Sequence, residues 1–283
     1  MKQIIKRGSF LTLMFMLLGC LSLYAADNDL ITKQITIKLE KAGTLPDRIG
    51  SSKKYKITNL KIIGEINGTD LSMIREMAGS NFYGNSTDGK LSVLDLSEAK
   101  IVEGGDGYYN DYGYDYYTSN DVISSYAFSY CSGLTSLNLP AGITSIGNCA
   151  FVDCSGLTSI TLPAGITSIG FDAFAGCSGL TSIYVYAEKV PEIDRYVFEG
   201  FDAKKCTLYV PMGTRDDYCA SDFGNYFENI VEFDATGIDK TTISTDVEEV
   251  ARYSVNGQRL SAPTKGLNIV KYSDGSLKKV AVQ

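Results

Sequence analysis

Residues 150–170 read AFVDCSGLTSITLPAGITSIG, and the unit recurs on both sides of itself. Phe128, Phe151 and Phe174 are 23 residues apart, and so are Ala127, Ala150 and Ala173. The same interval joins Cys131, Cys154 and Cys177, then Leu134, Leu157 and Leu180. It joins Leu137, Ile160 and Ile183, then Leu139, Leu162 and Val185, and finally Ile123, Ile146 and Ile169. Seven columns in register over three units mark a tandem array, and self-similarity of this kind outranks any local reading.

Each unit has a physical parse. Leu-Thr-Ser-Ile-Thr-Leu alternates apolar and polar, the period of a half-buried strand. Pro140 and Pro163 follow at once and end the strand, because proline brings no ladder donor. Ala-Gly turns the chain, a short Ile-Thr-Ser-Ile pair follows, and Ala-Phe-x-x-Cys reads as a helical or 3₁₀ arc with its Phe inward. One such turn cannot bury its own apolar face, whereas stacked turns share a continuous core. The expected fold is an α+β repeat solenoid with Phe128, Phe151 and Phe174 piled in one column.

These columns resemble the leucine-rich repeats of the bacterial surface type, called BspA-like. The close match covers residues 122–186. Leu91–Leu96 with Ala99 and Ile101 looks like an irregular earlier turn, and Phe198 with Cys206–Pro211 like a stretched later one. The resemblance implies a surface protein that adheres to proteins of a host or a neighbouring cell, and it names no ligand, since one fold serves many partners.

Outward from the array, residues 91–233 are expected to form the solenoid and 26–90 an N-terminal cap. In the cap, Ile35–Leu39 alternates as a strand, Thr58–Ile66 holds another apolar run, and Asp70 reads as the cap of a short helix, Leu71 to Ala78, ending near Gly79. Residues 104–120 hold six Tyr, four Gly and three Asp with no aliphatic residue, and read as a surface loop between turns. Residues 234–249 are polar and aperiodic, a linker. Residues 250–283 carry two hairpin signals, one with Asn256-Gly257 at its turn. This tail resembles the C-terminal sorting domains of type IX secretion cargo in Bacteroidetes; a plain β-hairpin tail without a sorting role is the other reading.

Residues 1–25 have the layout of a secretory signal peptide: Lys2, Lys6 and Arg7, an apolar run over Phe10–Leu18, then Ala25 and Ala26. Leu17-Leu18-Gly19-Cys20 also resembles a lipobox, which would acylate Cys20 and supply a lipid anchor. Either route takes the chain out of the cytoplasm, to the outer membrane surface or beyond, and no apolar run is long enough for a transmembrane helix.

Composition narrows the function. Lys plus Arg number 26 against 33 Asp plus Glu, a net charge of -7, which becomes -10 once the leader and its three basic residues are removed. Nucleic acid is excluded as a partner, because phosphate contacts need clustered cations. The chain has no His, the commonest general base and metal ligand. Gly84–Lys90 falls short of a phosphate-binding loop, since Leu91 stands where a hydroxyl should hold magnesium. The acidic neighbours Asp216-Asp217 and Glu248-Glu249 point apart in an extended chain and make no glycosidase pair. Of seven Cys, six follow the leader; three sit in a repeat column as small buried hydrophobes, although an even count also permits disulfides. Asp106, Asp111 and Asp115 lack EF-hand spacing. No enzyme activity, cofactor or metal is expected.

Two surfaces remain as binding candidates. Tyrosine offers rigid amphipathic area at low entropic cost, which singles out Tyr108, Tyr109, Tyr112, Tyr114, Tyr116 and Tyr117. The outward strand residues Ser136, Asn138, Ser159, Thr161, Ser182 and Tyr184 form a neutral hydroxyl-rich face. The expected partner is a protein on a host or neighbouring cell; the alternative is a glycan, for a carbohydrate-binding accessory protein of the outer membrane. Replacing the Tyr-rich loop by a Gly-Ser linker is expected to leave folding intact.

Overall fold

The apolar columns become two parallel sheets with a stack of rings between them. The computed structural model describes residues 30–235 and, beyond them, 249–254, 259–260, 262, 266–272 and 277–282. The leader, Cys20 and residues 236–248 of the expected linker lie outside the described residues.

In chain order come β1 (Ile35–Lys38), α1 (Leu45–Ile49), β2 (Asn59–Ile66), α2 (Gly68–Met77) and β3 (Val93–Ile101). A hairpin of β4 (Gly104–Asp111) and β5 (Tyr114–Thr118) follows. The regular repeats supply β6 (Val122–Ile123), β7 (Ser136–Asn138), β8 (Ser145–Ile146), β9 (Ser159–Leu162), β10 (Ser168–Ile169), β11 (Ser182–Val185) and β12 (Glu192–Ile193). The unit closes with β13 (Thr207–Pro211), α3 (Arg215–Ala220), α4 (Phe223–Tyr226) and β14 (Asn229–Phe233).

Eight of these strands form one sheet in the order β1-β2-β3-β7-β9-β11-β13-β14, and every adjacent pair is parallel. Residues 26–90, expected as a cap, thus contribute the first two strands of the same sheet. Leu60, Leu94, Leu137, Ile160, Ile183, Leu208 and Ile230 pair in succession and are all buried, so one inward column runs through seven strands. The second sheet, β12-β10-β8-β6, aligns Ile123, Ile146 and Ile169 in the same way.

Between the sheets lies the expected aromatic column. Phe128 and Phe151 stack at 5.5 Å, Phe151 and Phe174 at 5.0 Å, and Phe174 and Phe198 at 5.8 Å, with interplanar angles of 1°, 4° and 8°. The array ends on Phe198, which is ringed by Phe223, Tyr226 and Phe227. The Cys column packs beside the rings: Cys154 Sγ donates to the Phe128 carbonyl (3.0 Å) and Cys177 Sγ to that of Phe151 (3.1 Å). Thr158 and Thr181 hydroxyls donate to the carbonyls of Thr135 and Thr158, so the polar Thr column also joins one repeat to the next.

The arcs bend through left-handed backbone. Tyr126, Cys149 and Asp172 have φ of 60°, 53° and 54°, one repeat apart, and Tyr130 and Asp153 have 60° and 55° where the next repeat places Gly176 at 71°. Only glycine adopts this region without strain, so the arcs hold these side chains there by packing and hydrogen bonds.

Helix α2 starts differently from the expectation. Its N-cap is Asn67, whose Oδ1 accepts from Thr69 N (3.1 Å), while Asp70 sits three residues in and accepts from Asn67 N (3.0 Å), a capping box. Asp70 is fully buried because it also accepts from Gly43 N and Leu45 N, closing the turn before α1.

Thr236–Gln283 is a separate compact unit. Its described strands, β15 (Glu249–Ser254), β16 (Arg259–Leu260), β17 (Gly266–Tyr272) and β18 (Leu277–Val282), pair antiparallel in the order β16-β15-β17-β18. The β15–β16 and β17–β18 pairs fall on segments read as hairpin strands, and the turns between them lie outside the described residues.

Candidate functional site

The Tyr-rich segment is a hairpin, not a loop, and its residues divide into an anchor and a tip. The tip is a two-residue turn with Tyr112 at φ 46° and Gly113 at φ 93°, the positive pair that a type I′ hairpin needs. Asn110 stiffens it: Oδ1 accepts from Gly113 N (3.2 Å) and Nδ2 donates to Asp115 Oδ1 (2.7 Å). The hairpin lies tightly on α2. A Cβ on Gly68 would fall 2.0 Å from the Asp106 carbonyl oxygen, so only glycine permits the approach. The Thr69 hydroxyl accepts from Asp106 N (2.9 Å) and donates to Asp106 Oδ2 (3.0 Å).

Two of the six candidate tyrosines belong to the core. Tyr108 and Tyr109 are 0% and 5% exposed, which corrects their assignment to a binding surface. The β4–β5 register shifts between Gly104 and Tyr109, so strict alternation fails and two neighbours are both buried. Tyr108 donates to the Ser125 carbonyl (2.5 Å). Tyr109 stacks on Tyr126 at 4.9 Å, Tyr116 meets Tyr126 edge-on at 4.8 Å, and the Arg75 guanidinium lies 4.8 Å over the Tyr109 ring. Arg75 is itself fully buried and donates to the Tyr126 and Ala127 carbonyls and to Ser80 and Ser129. Burial pushes the Tyr109 phenol up to about 12 and that of Tyr108 higher still. Tyr112, Tyr114 and Tyr117 remain outside, 99%, 76% and 53% exposed, with Tyr116 half-buried beneath them.

The six strand residues named from the sequence pair across β7, β9 and β11, and their rows run on into β13. Ser136, Ser159 and Ser182 form one row, continued by Thr207. Asn138, Thr161 and Tyr184 form the next, continued by Tyr209. Tyr184 and Tyr209 stack at 4.4 Å and 6°, and Phe233 meets Tyr184 edge-on at 5.8 Å and Tyr186 at 5.0 Å. Burial raises the Tyr184 phenol, with Tyr209 adding to the shift. Tyr186, Tyr209 and Phe233 were absent from the candidates; aligning Tyr209 with Tyr184 by a 25-residue step would have found the first ring pair. On the other side Asn138 pairs with Asp95, whose carboxylate shares Lys61 with Glu98 (3.4 and 2.6 Å).

Among the described residues no group of three or more Cys, Asp or Glu could hold a metal ion. Asp106 is engaged by Thr69 and Asp115 by Asn110. The six described thiols are unpaired. Burial pushes the Cys131 and Cys177 thiols up to about 11 and 12, away from the thiolate that a nucleophile needs. No described helix is long and apolar enough to cross a membrane.

Residues 121–261 match the BspA type leucine rich repeat region, in six copies. The match begins at the first regular repeat and leaves β1–β3 and the hairpin outside. Repeats of this family typically serve as non-enzymatic binding scaffolds, often in surface or exported proteins. No curated protein matches the chain.

Proposed function

On a chain that carries BspA-type leucine-rich repeats, we propose that the repeats stack as a solenoid and hold the β4–β5 hairpin as the recognition element of an exported cell-surface protein. Its work is adhesion, by contact with a protein of a host or neighbouring cell. The leader supplies export, by cleavage near Ala25 or acylation of Cys20, and the β tail acts as a type IX sorting domain.

One observation carries the reading. Tyr112 is 99% exposed at φ 46°, in a turn that Asn or Asp would fill with less strain. The ring makes no return inside the molecule, while the anchor of Tyr108, Tyr109 and Arg75 makes the tip rigid. Rigid exposed aromatic rings are the anchors of binding hot spots.

The burial of Tyr108 and Tyr109 sets the experiment. A Gly-Ser linker in place of residues 104–120 would open the core, so the tip must be changed alone. Tyr112→Asn with Tyr114→Ser and Tyr117→Ser should melt at or above the wild-type temperature, since Asn suits the I′ turn. The same variant should lose crosslinking to surface proteins on whole cells. Undiminished crosslinking by a folded variant refutes the hairpin as the recognition element.

A further inference from the structure

The outward sheet face has its own chemistry, independent of the hairpin. Across β7, β9, β11 and β13 its two rows hold hydroxyls, one amide and two phenols, with no charge, on a chain whose net charge without the leader is -10. The rows change character at one line. Asn138 and Thr161 make a low polar floor, and Tyr184 rises from the next strand as a wall. Tyr209 stacks on it at 4.4 Å and Phe233 stands perpendicular to it at 5.8 Å, so the ring is held in place. On the side away from Tyr209 the neighbour in the row is Thr161, a side chain too small to cover the ring, and Tyr184 is half-buried, not enclosed. Strands lie about 4.8 Å apart, so the floor between the wall and Asn138 runs roughly 10 Å.

We propose that this face binds a neutral hexopyranose glycan, with a sugar ring packed against Tyr184 and its hydroxyls bonded to Thr161, Asn138 and Ser159. A pyranose offers both halves of the match at once: a C–H face for an aromatic ring, and hydroxyls that donate and accept beside it. An apolar protein anchor would cover the wall and leave the floor's hydroxyls and amide without partners, which costs free energy. An anionic polysaccharide would meet the Asp95 and Glu98 carboxylates beyond Asn138 and the acidic field of the whole chain.

The test is affinity electrophoresis of the full chain in gels holding a soluble β-glucan, a galactomannan or dextran, with alginate as the anionic probe. The wild type should be retarded in at least one neutral gel, equally at low and high salt, because no ion pair is involved. Tyr184→Ala should weaken that retardation about tenfold, the worth of one aromatic contact. Thr161→Phe keeps the wall and fills the space in front of it, so it should block binding with an unchanged circular dichroism spectrum, whatever Tyr184→Ala does to folding. Retardation in alginate alone, no retardation in any neutral gel, or wild-type binding by Thr161→Phe overturns the proposal. Sedimentation that shows wild-type self-association abolished by Tyr184→Ala gives the face to a second copy of the chain, and overturns it as well.

Discussion

Phe151→Ala tests the packing on which every surface here depends. Phe151 is fully buried between Phe128 at 5.5 Å and Phe174 at 5.0 Å. Removing a buried Phe costs about 3–5 kcal/mol, more where the site cannot collapse. Collapse is blocked here, because the neighbouring arcs are tied by Phe128 N to Ala150 O, Phe151 N to Ala173 O and Phe174 N to Val197 O, at 2.7, 2.8 and 2.9 Å. Two ring pairs vanish as well, each worth about 0.5–1.5 kcal/mol beyond area. The loss should therefore reach the top of the range, about 4–5 kcal/mol. In a unit of this size that lowers Tm by about 10–20 °C. Phe128→Ala, with one stacked Phe neighbour instead of two, should cost about 1 kcal/mol less. Urea titration under reducing conditions, followed by circular dichroism, measures both. A Phe151→Ala loss below about 1.5 kcal/mol, or equal losses for the two variants, would refute a close-packed ring column.

The buried thiols predict alkaline weakening. Burial raises Cys131 and Cys206 from their ordinary value of 9.0 to about 11 and Cys177 to about 12, so the unfolded chain ionises first and stability, intact below pH 9, drains away between pH 9 and 12. The urea midpoint should fall over that window, and Cys131→Ala should flatten the slope; a constant midpoint contradicts it. Arg75→Ala should cost at least about 3 kcal/mol, because the Ala127 carbonyl and the Ser80 hydroxyl lose their donor inside the core, while the Tyr126 carbonyl keeps the amide and hydroxyl of Ser129. Thermal melting reads the loss, and a shift under about 2 °C would show that water reaches those acceptors.

Legibility followed the repeat and stopped where the chain departs from it. Residues 122–186 could be aligned because equivalent side chains recur, and their columns fall in the inferred register. Leu91–Leu96 could be read as an earlier turn, and Leu94 meets Leu137 across the hairpin, 43 residues on; β1 and β2 read only as a cap, because no repeat column reaches them. The left-handed arc positions were hidden for another reason. Tyr126, Cys149 and Asp172 share one backbone conformation without sharing chemistry, and only a column of glycines would have announced it. The composition of residues 104–118 hid their division, since Tyr108 and Tyr112 are the same residue type, one fully buried and one fully exposed. What separates them is a register shift, which no period records.

Both proposed recognition surfaces lie at those departures. In the regular repeats each position answers to the same position one turn away, so its residue is explained once stacking is explained. The Phe rings fill the core, the Cys thiols donate to carbonyls, and the Thr hydroxyls join repeats. Stacking makes no demand for a tyrosine at a left-handed turn tip in water. Nor does it ask for Tyr184 in the row where the two preceding strands carry Asn138 and Thr161. At both places the substitution leaves an aromatic face outside the core, on an element braced from behind. Exposed ring area on a rigid support lowers the entropic cost of holding a partner, and that gain appears only when a partner is present. The regular columns therefore account for the packing, and the two aromatic exceptions are the places where packing alone gives no reason for the residue.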